Sequence, residues 1–307
     1  MPAVPKESVL AVLVSDIHLS LKRPSSRVEK MEWFDVMAYY LAQLQRASSK
    51  FDAPVVCGGD IFDKWDPGAE LINFALDHLP CMYAVPGQHD LPAHSYEDMS
   101  RSAYGTLMRA GKIIDLCPGV DVRVPESPLV LTGVPWAHEI TPPGEILPDD
   151  INLAVVHKYI WVKGASFPGA PTKSRAKMFK HDLAPFNAAL FGDNHKGFTV
   201  LVGDTYVHNN GGFMRRKSDE VDYHPAIGLL MADGSVRRLR LKADIDEFAE
   251  REETVDAEFD TSAFISGLKQ AGGSDIDFRE VVLDHIRKNE VDDMVKHELT
   301  EALNEPD

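Results

Sequence analysis

Five short clusters of aspartate, histidine and glycine are strung along the chain, each directly after an apolar run. They are Ser15-Asp16-Ile17-His18, Gly58-Gly59-Asp60, Gly87-Gln88-His89-Asp90, Val156-His157 and Gly192-Asp193-Asn194-His195. Continuous apolar runs suit strands buried on both faces. The ends of such strands are where α/β folds gather reactive groups. Carboxylates and imidazoles brought together from distant parts of a sequence are what a site for two metal ions requires. Taken singly, Asp-x-His or Gly-Gly-Asp reads as a turn or a surface pair. Five such clusters, in order and all following strands, read jointly as one site.

The runs give a coarse architecture. Strands are expected at Val9 to Val14, Ala53 to Cys57, Met82 to Val85, Pro128 to Val134, Leu153 to Val156 and Ala188 to Phe191. Four more follow at Phe198 to Val202, Thr205 to His208, Ala226 to Met231 and Val236 to Leu241, the last two separated by the turn signal Asp233-Gly234. Apolar residues at helical spacing predict helices over Glu29 to Ala47, Ala69 to His78 and Ser100 to Ala110. The order is βαβα first and mostly β afterwards, which suits layered sheets flanked by helices better than one doubly wound sheet.

Charge divides the chain. The formal net charge is −16, but residues 243–307 hold 20 acidic and 6 basic residues, a net of −14. The first 242 residues come to −2. Residues 1–242 are therefore read as the main domain and 243–307 as an acidic segment. Its residues 244–260 read as linker or frayed helix. Helical spacing returns over 261–270 and 278–303. No run reaches the roughly 18 apolar residues of a membrane span, and Lys6 and Glu7 stand where a signal peptide would be apolar. The three cysteines, Cys57, Cys81 and Cys117, lack Cys-x-x-Cys spacing. Cys57 and Cys81 lie in apolar surroundings and read as buried free thiols of a reducing compartment. A cytoplasmic location is expected, the host cytoplasm if the chain is phage-encoded.

Within the clusters, Asp16 and His18 are two residues apart, so on an extended strand end both can face one ion. Asp193 and His195 share that spacing. The glycines before Asp60 let the backbone turn closely around a metal or phosphate. A mixture of imidazole and carboxylate ligands suits Mn, Fe or Zn better than Ca or Mg alone.

The order Asp-x-His, Gly-Asp, Gly-Gln-His-Asp, His, Gly-Asp-x-His resembles the calcineurin-like metallophosphoesterases from about Val9 to His195. The resemblance implies a four-layer αββα sandwich, two packed mixed sheets flanked by helices, followed here by a small helical C-terminal segment. It also implies two divalent metal ions, most readily Mn2+, with Mg2+, Fe2+ or Zn2+ as alternatives. Asp16, His18 and His195 match ligands of the first metal, Asp60 the bridging ligand, and His157 a ligand of the second. His89 matches the histidine beside the scissile phosphate, and Asp90 would orient it. Gln88 stands where the family has Asn, and its longer side chain would reach the second metal only with a shifted backbone or rotamer. Asp193 stands where the family has His, which makes the second position more anionic. The implied reaction is in-line hydrolysis of a phosphoester with a bridging hydroxide.

Within that superfamily, Gly59-Asp60-Ile61-Phe62-Asp63 and Gly87-Gln88-His89-Asp90-Leu91-Pro92 are similar to the SbcD-type DNA-repair exonucleases, phage recombination endonuclease subunits included. So is the stretch from Val207 through Gly211-Gly212 to Arg215-Arg216. That likeness implies DNA as substrate, an SMC-like ATPase subunit as partner through the C-terminal segment, and homodimerisation. Lys173, Arg175 and Lys177, with Lys180, and then Arg215 and Arg216, with Lys217, form basic clusters suited to phosphate contacts; equally they suit a solvated surface. Trp161 and Phe167 could stack on unpaired bases. Two other readings stay open: a small-molecule phosphodiesterase or nucleotide hydrolase, and a non-catalytic recruitment subunit with an impaired second metal position.

Overall fold

The computed structural model describes residues 7–167 and 169–249, except the side chain of Asp219. The helices expected over 261–270 and 278–303 lie outside the described residues. The strands in chain order are β1 (Val9–Val14), β2 (Val55–Cys57), β3 (Met82–Ala84), β4 (Ile113–Asp115), β5 (Asp121–Arg123), β6 (Leu129–Val134), β7 (Ile151–His157), β8 (Ala188–Gly192), β9 (Phe198–Val202), β10 (Thr205–Asn209), β11 (Ala226–Met231) and β12 (Val236–Arg240). The helices are α1 (Trp33–Phe51), α2 (Ala69–His78), α3 (Ala103–Arg109) and the single turn α4 (Lys180–Leu183).

Two six-stranded mixed sheets form the body, ordered β12-β11-β1-β2-β3-β4 and β5-β6-β7-β8-β10-β9. In each, four neighbouring strands run parallel: β1 to β4 in the first and β6, β7, β8 and β10 in the second. The remaining strands are antiparallel additions. Layered sheets with flanking helices are the architecture expected of the metallophosphoesterase sandwich.

Alternation explains why the runs lack polar residues. On β1, Ala11 and Leu13 face the other sheet, while Val12 and Val14 pack under α1. On β7, Leu153 and Val155 face inward, while Ala154 and Val156 face the outer layer. Nearly every position of such a strand is buried, which disfavours polar side chains; on β7 the exceptions are Asn152 and the terminal His157. Helix α1 buries Trp33, Val36, Met37, Tyr40, Leu41, Leu44 and Ala47, the i, i+3, i+4 stripe of an amphipathic helix. The outer face of the second sheet is covered differently, by Ile160, Ala165, Ala176, Leu183 and Phe186 from a largely irregular segment.

Several local expectations are corrected. Helix α1 begins at Trp33 rather than Glu29, because Glu29 is buried and accepts from the guanidinium of Arg27 at 3.0 Å. Helix α3 begins at Ala103, after a 3-10 turn at Met99–Arg101; the Ser102 hydroxyl caps it by accepting from Gly105 N–H. The short strands β4 and β5 are additional. Cys57 is buried as expected, but Cys81 is exposed, since it precedes β3 in the turn leaving α2. Among the described residues no helix is long and apolar enough to cross a membrane.

The described part of the acidic segment packs onto the loops beside β1 and β10. Asp246 accepts from Arg27 at 2.5 Å, from Arg215 at 2.8 Å and from the Tyr40 hydroxyl at 2.7 Å. Arg27 is fully buried and also lies over the rings of Trp33 and Phe248.

Candidate metal centre

Because β1, β2, β3, β7 and β8 are parallel within their sheets, their C-terminal ends open together, and all five clusters meet there. Asp16, His18 and His195 bring ligand atoms within 4.8 Å of one another, as do Asp16, Asp60 and His157. Asp60 Oδ1 accepts the His89 backbone N–H at 3.0 Å. Its Oδ2 lies 3.7 Å from His18 Nε2 and 3.5 Å from His157 Nε2, between the two groups.

The backbone is bent to achieve this. Asp16, His18, Asp60 and Asp193 have φ of +52°, +48°, +53° and +77°. Each left-handed residue costs on the order of 1 kcal/mol or more, and such strain collects at functional sites. Asp is among the L-residues that tolerate this region best, with His close behind. Glycine is required at two contacts: a Cβ on Gly59 would meet His157 Nδ1, and one on Gly87 would meet Asp60 Oδ1.

Electrostatics differ across the floor. Burial raises Asp16 above the usual carboxylate range and pushes His18 down to about 3. Burial also opposes charge on Asp60, yet His157 beside it holds Asp60 well below that range. In the same way burial works against a charged His157, but Asp60 outweighs it and raises the ring to about 10.

A pair of divalent ions fits this donor set. Asp16 Oδ2, His18 Nδ1 and Asp60 Oδ2 are buried without a hydrogen-bond partner, and leaving such atoms unsatisfied costs about 1–3 kcal/mol each. His18 Nε2 faces His195 Nε2 at 3.1 Å. His157 Nδ1 donates to the Gly58 carbonyl, which turns its Nε2 toward Gln88 Oε1 at 2.6 Å. Facing acceptors of this kind need a proton or a cation between them. Gln88 therefore brings its amide oxygen to the second position, while its amide nitrogen donates to Asp193 Oδ1 at 2.8 Å.

The catalytic candidates are placed as follows. His89 is exposed at the cleft, edge-on to the His18 ring with centroids 5.0 Å apart. Its Nδ1 is held by the Asp63 carbonyl at 2.9 Å. Asp90 does not orient that ring. Its buried carboxylate accepts from the backbone N–H groups of Ile61, Phe62 and Gly87, tying the loop after β2 to the loop after β3. Burial and then the Asp60 charge raise Asp90 to about 7, against the pull of those N–H donors.

The basic candidates separate. Arg216 lines a cleft of about 610 Å³ together with Asp16, His18, His89 and His195, and donates to Asp63 Oδ1 at 2.8 Å. Lys173 lines an adjoining cleft with Trp136, His157 and Asp193. Arg175 and Lys177 line a different cleft with Lys163 and Lys180. Arg215 is not available for phosphate, because its guanidinium is spent on Asp246, the Val221 carbonyl and the Ala243 carbonyl. Trp161 is held against Arg175, and its indole N–H donates to the Pro171 carbonyl. Two contributors were not singled out from sequence. Asp63 stands 3.7 Å from His18 Nδ1; its place in Gly-Asp-Ile-Phe-Asp was the available signal. Trp136 packs against His157 with centroids 6.3 Å apart, and no spacing pointed to it.

The family model for calcineurin-like phosphoesterases matches residues 10–197. The chain belongs to that family, and it is accordingly a metal-dependent phosphoesterase, a hydrolase. No curated protein matches the sequence significantly. Solved structures are similar to the chain at low identity. An archaeal phosphodiesterase is 11% identical with a TM-score of 0.39, over 75% of this chain and 99% of its own. The sulfate thiohydrolase SoxB of Thermus thermophilus is 12% identical with a TM-score of 0.45, over 87% and 61%. A metallophosphoesterase from Sphaerobacter thermophilus is 13% identical with a TM-score of 0.37, over 76% and 88%.

Proposed function

We propose that this chain is a DNA phosphodiesterase of the recombination and repair type, similar to the SbcD exonucleases. The observation that carries the reading is the length and charge of the opening above the ligands. Three clefts adjoin there: His195 and Lys217 line both the first and the second, and Asp193, Tyr159 and Ser174 line both the second and the third. Their volumes are about 610, 520 and 400 Å³. Such a trough exceeds what a small ester fills. Lys158, Lys173, Lys196, Arg216 and Lys217 stand along it, outnumbering the carboxylates of Asp63, Glu139 and Glu220 that line it beside the metal ligands, in a chain of net charge −16. Cations at intervals along a groove suit a polynucleotide backbone.

In this reading Asp16, His18 and His195 would hold one divalent ion and Gln88, His157 and Asp193 the second, with Asp60 between the two groups. Mixed imidazole, amide and carboxylate donors suit Mn2+. Two such ions supply Lewis acidity to the scissile phosphate and a nucleophile at neutral pH. The chain's residues do the rest. Arg216, tethered by Asp63, faces the phosphate oxygens. With Nδ1–H donated to the Asp63 carbonyl, His89 presents Nε2 toward the leaving oxygen, where it can carry a proton. Asp90 fixes the relative height of the Asp60 and His89 loops. His89→Ala should keep metal binding and lose about 10²-fold or more in turnover.

The deciding assay compares Mn2+-dependent cleavage of linear duplex DNA, single-stranded DNA and bis-p-nitrophenyl phosphate. Cleavage of DNA upholds the reading. Cleavage of the ester alone replaces it with a small-molecule phosphodiesterase, and cleavage of neither with a recruitment subunit. The proposed ATPase partnership has its own test: the full chain should co-purify with an SMC-like subunit, and a chain lacking residues 261–307 should not.

A further inference from the structure

The trough continues beyond the metal centre in a direction that the proposed chemistry does not use. Lys196 lines the second cleft and also a further one of about 490 Å³, which holds Tyr223, His224, Arg238 and Arg240. Arg238 and Arg240 are two residues apart on β12, the edge strand of the first sheet, so both face the same side. Both are exposed. Arg238 donates one long hydrogen bond, to the Asn210 carbonyl at 3.5 Å, and lies beside the Tyr223 hydroxyl. Among the described residues, Asp222 is the one carboxylate lining this cleft, against three permanent cations.

The route between the centre and this cleft is fixed in place. Asn194 is buried, and its amide donates to the Ile160 carbonyl at 2.6 Å and the Ala165 carbonyl at 2.8 Å. Lys196 Nζ donates to the Ser166 carbonyl at 2.8 Å, which sets its ammonium at the junction of the two clefts. Beside it stands Phe167, half exposed, inclined at 48° to Tyr159 with centroids 5.1 Å apart. On the other wall the Tyr223 hydroxyl donates to the Gly212 carbonyl at 2.9 Å. Cations spaced along a held groove, with an exposed ring between them, are what an unpaired nucleic-acid strand binds: phosphates meet the charges and a base stacks on the ring.

We propose that the Lys196–Arg238–Arg240 cleft is a second phosphate site. It takes the backbone of a single strand that leaves the metal centre past Lys217 and Phe167. This rests on the reading of the chain as a DNA phosphodiesterase, and adds where the strand runs.

The test uses the full chain and an oligothymidylate of about 20 nucleotides, labelled at one end, with bis-p-nitrophenyl phosphate as a probe of the centre alone. The variant K196Q/R238Q/R240Q should bind the oligonucleotide about tenfold or more weaker. Its log Kd should vary with log salt by about 2 units less, three single-strand contacts at about 0.7 each. R238Q/R240Q, which leaves Lys196 in place, should also bind the strand more weakly while turning over the small ester as the native chain does. R238K/R240K keeps the charges and should bind within about threefold of the native chain. A triple variant that binds as the native chain does overturns the inference and leaves the nuclease reading standing. Equal weakening in the Lys and Gln variants overturns it as well, since it shows that shape rather than charge matters. A native chain that binds no strand overturns both.

Discussion

The two halves of the metal centre solve the same problem in opposite ways. Around Asp16 and His18, polar atoms are buried and left over: Asp16 Oδ2, His18 Nδ1 and the shared Asp60 Oδ2 have no partner. Around Gln88, His157 and Asp193, the side chains answer one another and the Gly58 carbonyl. The first half is incomplete without a cation. The second is a closed network that a cation must enter. Gln88 and Asp193 are the two side chains that close it.

The largest test of this contrast is at the shared oxygen. Asp60→Asn should remove a ligand from both halves and cost about 10³-fold in turnover of bis-p-nitrophenyl phosphate. A loss below tenfold would break the picture of a shared ligand. Next come changes confined to one half, read as stability in the presence of a chelator. Asp16→Asn discards a buried carboxylate whose Oδ2 has no partner, while its Oδ1 can still accept from Asp193 N–H, and should stabilise the metal-free protein by about 1 kcal/mol. Gln88→Ala opens the closed network and should destabilise it by about 1–2 kcal/mol. Shifts of the same sign in urea midpoints would erase the contrast. Saturating Mn2+ should add about 3 kcal/mol to the native chain at a hundredfold excess over Kd, and much less to Asp16→Asn.

The last test concerns an orphaned atom outside the centre. His208, on β10, packs against Gly228 of β11; Thr199 Oγ1 stands 2.8 Å from its Nδ1, and its Nε2 has no partner. Burial, with the charge of Arg238, pushes it down to about 3. Its folded value lies below the ordinary 6.5, so the unfolded chain binds more protons between them. The contribution is complete above pH 6.5 and is lost as pH falls toward 3, at no more than about 1.4 kcal/mol per pH unit. His208→Leu should flatten that part of a stability-against-pH curve, with or without metal. A slope that persists in the variant would assign it elsewhere.

Much of this was legible in the sequence, because the parallel strands are buried on both faces and must be written without polar residues. Val9–Val14 and Leu153–Val156 could hardly read otherwise. The candidate ligands were legible because each follows such a run. Strands β4 and β5 were not: Ile-Ile-Asp and Asp-Val-Arg are three residues long and half polar. Nor could composition separate Arg215 from Arg216. One is absorbed by Asp246, some thirty residues on, and the other faces the cleft. A charge in a sequence does not say whether its partner is a substrate or a distant part of the chain.

The left-handed backbone at Asp16, His18, Asp60 and Asp193 bears on how this site should be dissected. Alanine at these positions would lose a ligand and also a side chain that eases φ > 0, so one number would mix two losses. Asparagine keeps the conformational tolerance and the size while discarding the charge. An alanine scan of this centre would overstate the chemistry of those four residues relative to His157 and His195, whose φ angles are ordinary. An asparagine scan at the aspartates would rank them on a common scale.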